Sequence, residues 1–131
     1  MSKSIFINVP VKDVAAAREF YTQIGFSINQ QFSNDQNAFV AIDEQITMML
    51  IAEASFKQNA RRDVADTKTV REATFAIQVA SREEVDKIVE AALAAGAEKE
   101  GEKVEEAEIG MYSRGFSDLD GHKIDILCMA A

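Results

Sequence analysis

Residues 5–26 read I-F-I-N-V-P-V-K-D-V-A-A-A-R-E-F-Y-T-Q-I-G-F, a strand-like run followed by a helix-like run. The first run alternates and is rich in β-branched residues, Asp13 is placed as an N-cap, and Gly25 ends the helix. Residues 74–97 read T-F-A-I-Q-V-A-S-R-E-E-V-D-K-I-V-E-A-A-L-A-A-G-A and repeat this order, with Ser81 opening a capping box. The chain therefore contains a weak internal duplication, and the two copies are expected to adopt the same local structure.

Further apolar runs, bounded by turn residues, follow each of the two helices. A polar and charged connector over residues 60–70 separates the halves, and we expect it to be the most mobile segment. We predict one domain over residues 1–131, with module one at about 1–60 and module two at about 70–131. Each module has the order βαβββ, which gives an α+β fold with curved mixed sheets around a cleft. The additional predicted elements are strands at 26–32, 38–42, 46–51, 109–116 and 123–129 and a short helix at 53–59.

The composition is typical of a globular domain, with 47% hydrophobic and 27% charged residues. A net charge of −8 argues against nucleic acid as a partner, because binding phosphates needs clustered Lys and Arg. The first residues do not resemble a signal peptide, and no apolar run approaches the length of a membrane span. The single cysteine, Cys128, is expected to be a buried thiol in a reducing compartment. We therefore expect a cytoplasmic protein with no membrane partner.

Two motifs carry a resemblance to a known family. They are V-K-D-V-x-x-x-R-E-F-Y-x-x-I-G-F near the start and G-F-S-D-L-D-G-H-K-I-D-I-L near the end. In this order and spacing the chain resembles the vicinal oxygen chelate superfamily, which includes glyoxalases, bleomycin and fosfomycin resistance proteins and extradiol dioxygenases. It is most similar to a bacterial branch labelled glyoxalase-like or lactoylglutathione-lyase-related. The resemblance implies two βαβββ modules around a cleft, with modules paired or exchanged between chains in a homodimer.

The same resemblance implies one divalent metal ion, held by four side chains that project inward, two from each module. Transferred to this sequence, the four positions are Phe6, Met49, Thr74 and Asp125. Only Asp125 is a competent ligand for a hard metal ion, because Phe6 has no donor atom and Met49 offers a soft thioether. We therefore predict that the family-type metal site is missing and that the protein has no cofactor.

Other polar residues are candidates for binding a ligand. Asn8 is expected to share a strand face with Phe6 and to place an amide in an otherwise apolar cavity. Tyr112 and Arg114 share one face of a later strand, and in the cavity they would suit an anionic or aromatic ligand. The alternative for Arg114 is an ion pair with one of the many surface acids.

Three functions follow as hypotheses. The first is a metal-independent small-molecule binding protein, of the resistance or sequestration type. The second is a divergent glyoxalase-like lyase or isomerase that uses Asp125 as a catalytic base, so whether the chain is an enzyme stays open. The third is a non-catalytic partner-binding domain with a filled cavity. For the first hypothesis the predicted ligand-binding residues are Phe6, Asn8, Met49, Thr74, Tyr112, Arg114 and Asp125.

Overall fold

Strand β1 (Ile5–Val11) and helix α1 (Val14–Gln23) form where the first copy of the repeat predicts them. Asp13 is the N-cap of α1, and its carboxylate accepts a hydrogen bond of 3.0 Å from the amide of Ala16. Beyond the helix, Gly25 has a φ of 105°, a conformation that side chains with a Cβ rarely adopt. Local sequence signals are therefore sufficient to explain where this helix begins and ends.

The computed structural model describes residues 2–129, and these divide into two compact units, one ending at Ala65 and the other beginning at Asp66. The first unit holds a mixed sheet of four strands in the order β1-β4-β3-β2. Strand β1 runs parallel to β4, whereas β3 is antiparallel to both β4 and β2. The remaining elements of this unit are β2 (Ser27–Ile28), β3 (Asn37–Asp43), β4 (Ile46–Ala52) and helix α2 (Glu53–Ala60).

The second unit holds a mixed sheet of five strands in the order β5-β9-β8-β6, with β7 also paired to β8. Strand β5 runs parallel to β9, and β8 is antiparallel to β9, β6 and β7. A 3₁₀ helix (Ala107–Ile109) precedes β8. The elements of this unit are β5 (Thr74–Gln78), α3 (Arg82–Ala94), β6 (Glu98–Lys99), β7 (Val104–Glu106), β8 (Met111–Ser117) and β9 (Lys123–Met129).

The two sheets repeat one topology. In each unit the first strand is followed by a helix and then pairs in parallel with the last strand, so β1, β3 and β4 correspond to β5, β8 and β9. The predicted α+β fold with two mixed sheets is confirmed, and β7 with its 3₁₀ helix is an addition to the second copy.

Each sheet packs one face against its helix, and this packing forms the two cores. In the first unit Val11 and Leu50 on the sheet are fully buried, together with Phe20 on α1. In the second unit Ile124 and Ile126 on β9 are fully buried, and α3 contacts both β8 and β9. Because side chains of a strand alternate between faces, the neighbours of these residues project from the opposite face of each sheet.

The predicted strand at 26–32 is the largest local error of the sequence analysis. Only Ser27–Ile28 is strand, because the residues after it form turns. The side chain of Asn29 accepts a hydrogen bond from the amide of Gln31, and Asn34 accepts one from Gln36. No helix within residues 2–129 is both long and apolar enough to cross a membrane.

Candidate functional site

The face of the first sheet that points away from α1 carries aromatic and apolar side chains. We call Phe6, Asn8, Phe39 and Met49 the first open face. In the strand register Met49 lies between Asn8 on β1 and Phe39 on β3. Phe6 is 54% exposed and packs edge-to-face on Phe39, with ring centroids 6.3 Å apart. Phe6, Asn8 and Met49, three of the predicted ligand-binding residues, thus lie together.

Asn37 adds one polar atom to the same side of the first sheet, because it alternates with the buried residue Ala38 and shares its side with Phe39. Its Oδ1 is buried and has no hydrogen-bond partner among residues 2–129. A buried acceptor without a donor costs about 1–3 kcal/mol, so it is a point at which a donor from a bound molecule would be favourable.

The corresponding face of the second sheet is charged. We call Thr74, Ser117, Lys123 and Asp125 the second open face. Lys123 Nζ lies 2.7 Å from Asp125 Oδ1 and 3.0 Å from Oδ2, and both side chains are 25% exposed. Lys123 is paired across the strands with Thr74 on one side and Ser117 on the other. Since an ammonium group has three N–H donors, one remains to bind another acceptor.

Small residues flank Asp125 on both sides, and its carboxylate occupies the space beside one of them. Ala76 on β5 and Gly115 on β8 are its cross-strand neighbours. A Cβ atom built on Gly115 would lie 2.6 Å from Asp125 Oδ1, a distance that real Cβ atoms essentially never show. The position of the carboxylate therefore depends on the missing side chain at Gly115.

A second charged pair borders this face. Glu100 accepts hydrogen bonds from Ser117 and from Arg71, and the latter also forms an ion pair of 2.9 Å. These two hydrogen bonds, first that from Ser117, lower the pKa of the Glu100 carboxyl. Within residues 2–129 all three hydrogen bonds donated by Arg71 come from Nη2, so its Nε and Nη1 face no protein acceptor.

The strand registers relate the two open faces position by position. Met49 lies two residues beyond the partner of Phe6, and Asp125 lies two residues beyond the partner of Thr74. Phe6 and Met49 in the first unit are therefore equivalent to Thr74 and Asp125 in the second. One backbone arrangement carries apolar side chains in one copy and polar side chains in the other.

Tyr112 and Arg114 project from the other face of the second sheet, toward α3. Asp86 on α3 accepts hydrogen bonds from the Tyr112 hydroxyl (2.5 Å) and from Arg114 Nη1 (3.0 Å), and Glu90 accepts one from Arg114 Nη2 (2.6 Å). The guanidinium of Arg82 also lies over the Tyr112 ring, 4.1 Å from its centroid. The structure thus does not bring Tyr112 and Arg114 to the face of Thr74 and Asp125, and the ion-pair alternative for Arg114 is the one observed.

Hydrogen bonds and burial together shift the pKa values of this cluster. The hydrogen bond from Tyr112, followed by that from Arg114, lowers the pKa of Asp86 although burial acts in the opposite direction. Burial and the hydrogen bond to Asp86 raise the pKa of Tyr112. Burial acts to lower the pKa of Arg114, but its hydrogen bonds to Glu90 and Asp86 outweigh this and raise it. All of these groups are held in the charge states that stabilise the contact between α3 and β8.

Four polar residues of the second open face and its border were missed by the sequence analysis: Arg71, Glu100, Ser117 and Lys123. One signal was available, since Lys123 and Asp125 have opposite charges and are two apart in a strand, which puts them on one face. Arg71 and Glu100 lie far from them in sequence and carry no comparable local signal.

The comparison with protein families agrees with this geometry. The family model described as Glyoxalase/Bleomycin resistance protein/Dioxygenase superfamily matches residues 5–126. The chain belongs to this superfamily. No protein with a curated description matches the sequence.

Several solved structures share the fold. A hypothetical protein, SA1046 from S. aureus, is 27% identical, with a TM-score of 0.81, and the match covers 98% of this chain and 94% of that one. A glyoxalase-related enzyme from Fulvimarina pelagi is 19% identical, with a TM-score of 0.81 and coverage of 98% and 88%. A lactoylglutathione lyase from Agrobacterium tumefaciens is 18% identical, with a TM-score of 0.71 and coverage of 98% and 94%. The last two likenesses concern the fold alone.

The metal ion that this superfamily implies does not fit the residues present. Of the four implied positions, Phe6 offers no donor, Met49 a thioether and Thr74 only a weak, neutral oxygen. The carboxylate of Asp125, the fourth, is bonded through both oxygens to Lys123. Within residues 2–129 no group of three or more His, Cys, Asp or Glu side chains is arranged to hold a metal ion. A catalytic metal site needs about three protein donors, and this donor set does not provide them.

Proposed function

We propose that this superfamily member is a small-molecule binding protein that does not use the family metal site. The observation that carries the proposal is the contact between Lys123 and Asp125, in which an ammonium group meets the carboxylate at the one implied position that has a hard-metal donor. Both groups stay accessible to solvent and keep hydrogen-bonding capacity, as a binding site requires.

The chemistry of the second open face supports a ligand with polar oxygen atoms. Lys123 has one N–H to spare, and Arg71 at the border has donors on two nitrogens without an acceptor among residues 2–129. Charge-assisted hydrogen bonds of this kind are shorter and stronger than neutral ones. Thr74 and Asp125 would contribute further polar contacts, whereas a role for Tyr112 and Arg114 in binding stays a prediction without support from their position.

The first open face, taken by itself, would suit an aromatic or apolar group. Phe6 and Phe39 present an edge-to-face pair, and Met49 beside them is flexible and polarizable. Asn8 and the unpartnered Oδ1 of Asn37 add amide groups at this side of the sheet. We therefore propose one ligand chemistry for each face, aromatic groups for the first open face and anionic oxygen atoms for the second. Small aromatic acids carry both chemistries and are the first class to test.

The test is a titration with sodium benzoate, salicylate and neutral benzyl alcohol, followed through the backbone amide signals in NMR spectra. We expect saturable shifts at the amides of Thr74 and Asp125, and weaker binding of the acids by about tenfold in Lys123→Met, since one charge-assisted hydrogen bond is lost. Lys99→Met is the matched control, because Lys99 Nζ also bonds both oxygens of one carboxylate, Glu102, at 3.0 Å. Absence of saturable binding across the panel would overturn the proposal.

The lyase or isomerase alternative differs in what it requires of Asp125. As a general base, the carboxylate would have to take a proton while it accepts two hydrogen bonds from Lys123. Turnover of a methylglyoxal–thiol adduct by the purified protein, lost in Asp125→Asn, would favour this alternative. One bound metal ion per chain in elemental analysis would contradict the proposed binding function.

We further propose that the chain forms a homodimer in the cytoplasm. The terminal strands of the two sheets, such as β1 and β5, each pair with one neighbour only, and such edges are commonly covered by association. The unpaired, buried thiol of Cys128 fits a reducing compartment. Native mass spectrometry at micromolar concentration tests the dimer, and a monomer alone would contradict it.

A further inference from the structure

The contact between Lys123 and Asp125 has the geometry of a cation held by a carboxylate. Both oxygens of Asp125 are engaged, at 2.7 and 3.0 Å, by one Nζ atom. The two residues are neighbours on the same side of β9 and are both 25% exposed, so the pair is neither a deeply buried core contact nor a freely exposed one.

We propose that Lys123 is the chain's own replacement for the metal ion, and that its ammonium keeps divalent cations away from this face. The inference rests on the proposed metal-independent function and adds the residue that enforces it. Two physical effects act together. The ammonium occupies the oxygens that a cation would need, and its charge repels a second cation placed within a few Å of it.

The surroundings of Asp125 show what the removal of this one charge would leave. With Lys123 present, the charges of Lys123 and Arg71 balance those of Asp125 and Glu100. Glu100 belongs to the same neighbourhood, because its backbone carbonyl oxygen and Asp125 Oδ1 both lie within 3.4 Å of the position of a Cβ on Gly115. Without the ammonium, this neighbourhood would hold two carboxylates and a single guanidinium, and oxygen donors with a net negative charge attract divalent cations.

The ligand class follows from the same replacement. A metal ion would bind and polarise an oxygen atom of a ligand, and the third N–H of Lys123 can bind such an oxygen by a charge-assisted hydrogen bond. An ammonium group donates at most three hydrogen bonds, and unlike a metal ion it has no open coordination position for a second ligand atom. We therefore infer that the site selects a single carbonyl or carboxylate oxygen, whereas a metal centre would take a chelating pair.

The experiment uses Mn²⁺ alone as the probe, with paramagnetic broadening of amide signals as the readout. In the unaltered protein we expect no localised broadening at residues 115 and 124–126. In Lys123→Met we expect broadening there, with Mn²⁺ binding about tenfold tighter, because one nearby positive charge is gone. Lys123→Arg keeps the charge and is expected to behave like the unaltered protein.

Two controls separate this effect from a general change of charge. Lys99→Met removes one positive charge from another lysine–carboxylate pair of the same unit, Lys99 with Glu102. It should leave the amide signals of residues 115 and 124–126 unbroadened. The double variant Lys123→Met with Asp125→Asn should lose the gained broadening. The spectra themselves report whether each variant is folded, and Lys123→Gln serves if the Met variant is not.

Localised Mn²⁺ binding by the unaltered protein, or no gain in folded Lys123→Met and Lys123→Gln, would overturn the inference. This outcome is separable from failure of the proposed function. A protein that binds no organic ligand but gains Mn²⁺ binding in Lys123→Met refutes the proposed function and keeps this inference. A protein that binds benzoate but shows no gain does the reverse.

Discussion

Gly115 shows how a single residue determines the chemistry of the second open face. It lies directly across from Asp125 in the strand register, and a Cβ atom at this position would meet Asp125 Oδ1 at 2.6 Å. The same Cβ would lie 3.4 Å from the carbonyl oxygen of Glu100, which belongs to the backbone and cannot move freely. The carboxylate must therefore shift when any side chain is placed at residue 115.

We predict that Gly115→Ala lowers the free energy of unfolding by about 1–2 kcal/mol, the usual cost of adding a group to a filled site. Urea denaturation followed by circular dichroism measures this change. In an Asp125→Ala background the same substitution should cost about 1 kcal/mol less, because the clashing oxygen is absent. An equal change in the free energy of unfolding with Asp or Ala at residue 125 would mean that the new methyl group does not contact the Asp125 carboxylate.

The positions of Tyr112 and Arg114 show the limit of what strand alternation can predict. Alternation correctly places the two side chains on one face of a strand, but it does not say which face the helix covers. Asp86 and Glu90 contained the missing signal, since residues four apart lie on one side of a helix and offer two carboxylates to a basic strand. By contrast, the family resemblance supplied the positions Phe6, Met49, Thr74 and Asp125. The strand registers show that Phe6 corresponds to Thr74, and Met49 to Asp125.

At the scale of elements, the contact between α3 and β8 is made by charged groups as well as by apolar packing. Asp86 is 49% exposed, yet it joins Tyr112 and Arg114 in hydrogen bonds, and Tyr112 is almost fully buried. Because the pKa of Asp86 is lowered in the folded protein, the unfolded chain binds its proton more readily. The stabilisation is therefore present above the ordinary carboxyl pKa and is lost as the pH falls through the lowered value.

We predict that Asp86→Asn lowers the free energy of unfolding by about 1 kcal/mol at pH 7, a value reduced for solvent exposure. The difference from the unaltered protein should shrink below about pH 4, since the carboxyl of the unfolded chain then takes up a proton before that of the folded protein does. Urea denaturation at pH 7, 5 and 3 measures it. Glu98→Gln is the control, because Glu98 is an exposed carboxylate on another strand of the same unit. A constant difference for Asp86→Asn at all three pH values would contradict the assignment.

Helix α1 depends on its N-cap more than on other local features. The carboxylate of Asp13 binds the amide of Ala16, and the helix has no acidic residue in its first turn and no basic residue in its last. We predict that Asp13→Ala lowers the free energy of unfolding by about 1 kcal/mol. Asp35→Ala, which removes a carboxylate from an exposed loop of the same unit, should change it by less than about 0.5 kcal/mol. Thermal denaturation of both variants decides whether the cap has this value.

The helices and strands that were predicted correctly are those specified by signals within their own segment of the sequence. The first copy's strand and helix and the strand at Lys123–Met129 are specified by alternation, caps and turn residues in their own segments. Strand β2 is shorter than predicted because Asn29 and Asn34 turn the chain with their side chains, which compete with strand pairing. Turns that depend on side-chain hydrogen bonds therefore leave a weaker signal in a sequence than hydrophobic periodicity does.

At the scale of the whole molecule, the duplication keeps the backbone and changes the chemistry of the open faces. Each sheet has one face covered by its helix, so each unit alone has a small core. A domain of about 60 residues buries only about 60% of the surface that its unfolded chain exposes, and it is therefore marginally stable. Helix α3 contributes three buried apolar residues to the second unit, Val85, Val89 and Ala92, whereas α1 contributes four to the first unit. These sizes favour the proposal that the chain unfolds as one cooperative domain.

The chain offers a direct test, because its two tyrosines, Tyr21 and Tyr112, lie one in each unit and it has no tryptophan. We predict that the ¹⁹F NMR signals of 3-fluorotyrosine at both positions convert to the unfolded form at the same urea concentration. Two separate midpoints would show that the units are independent domains, with the second expected to unfold first. Coincident midpoints would mean that a substitution in either open face, such as Phe6→Ala or Lys123→Met, changes the stability of the whole chain. The stability of each such variant must then be measured together with its binding, because loss of folded protein also weakens apparent binding.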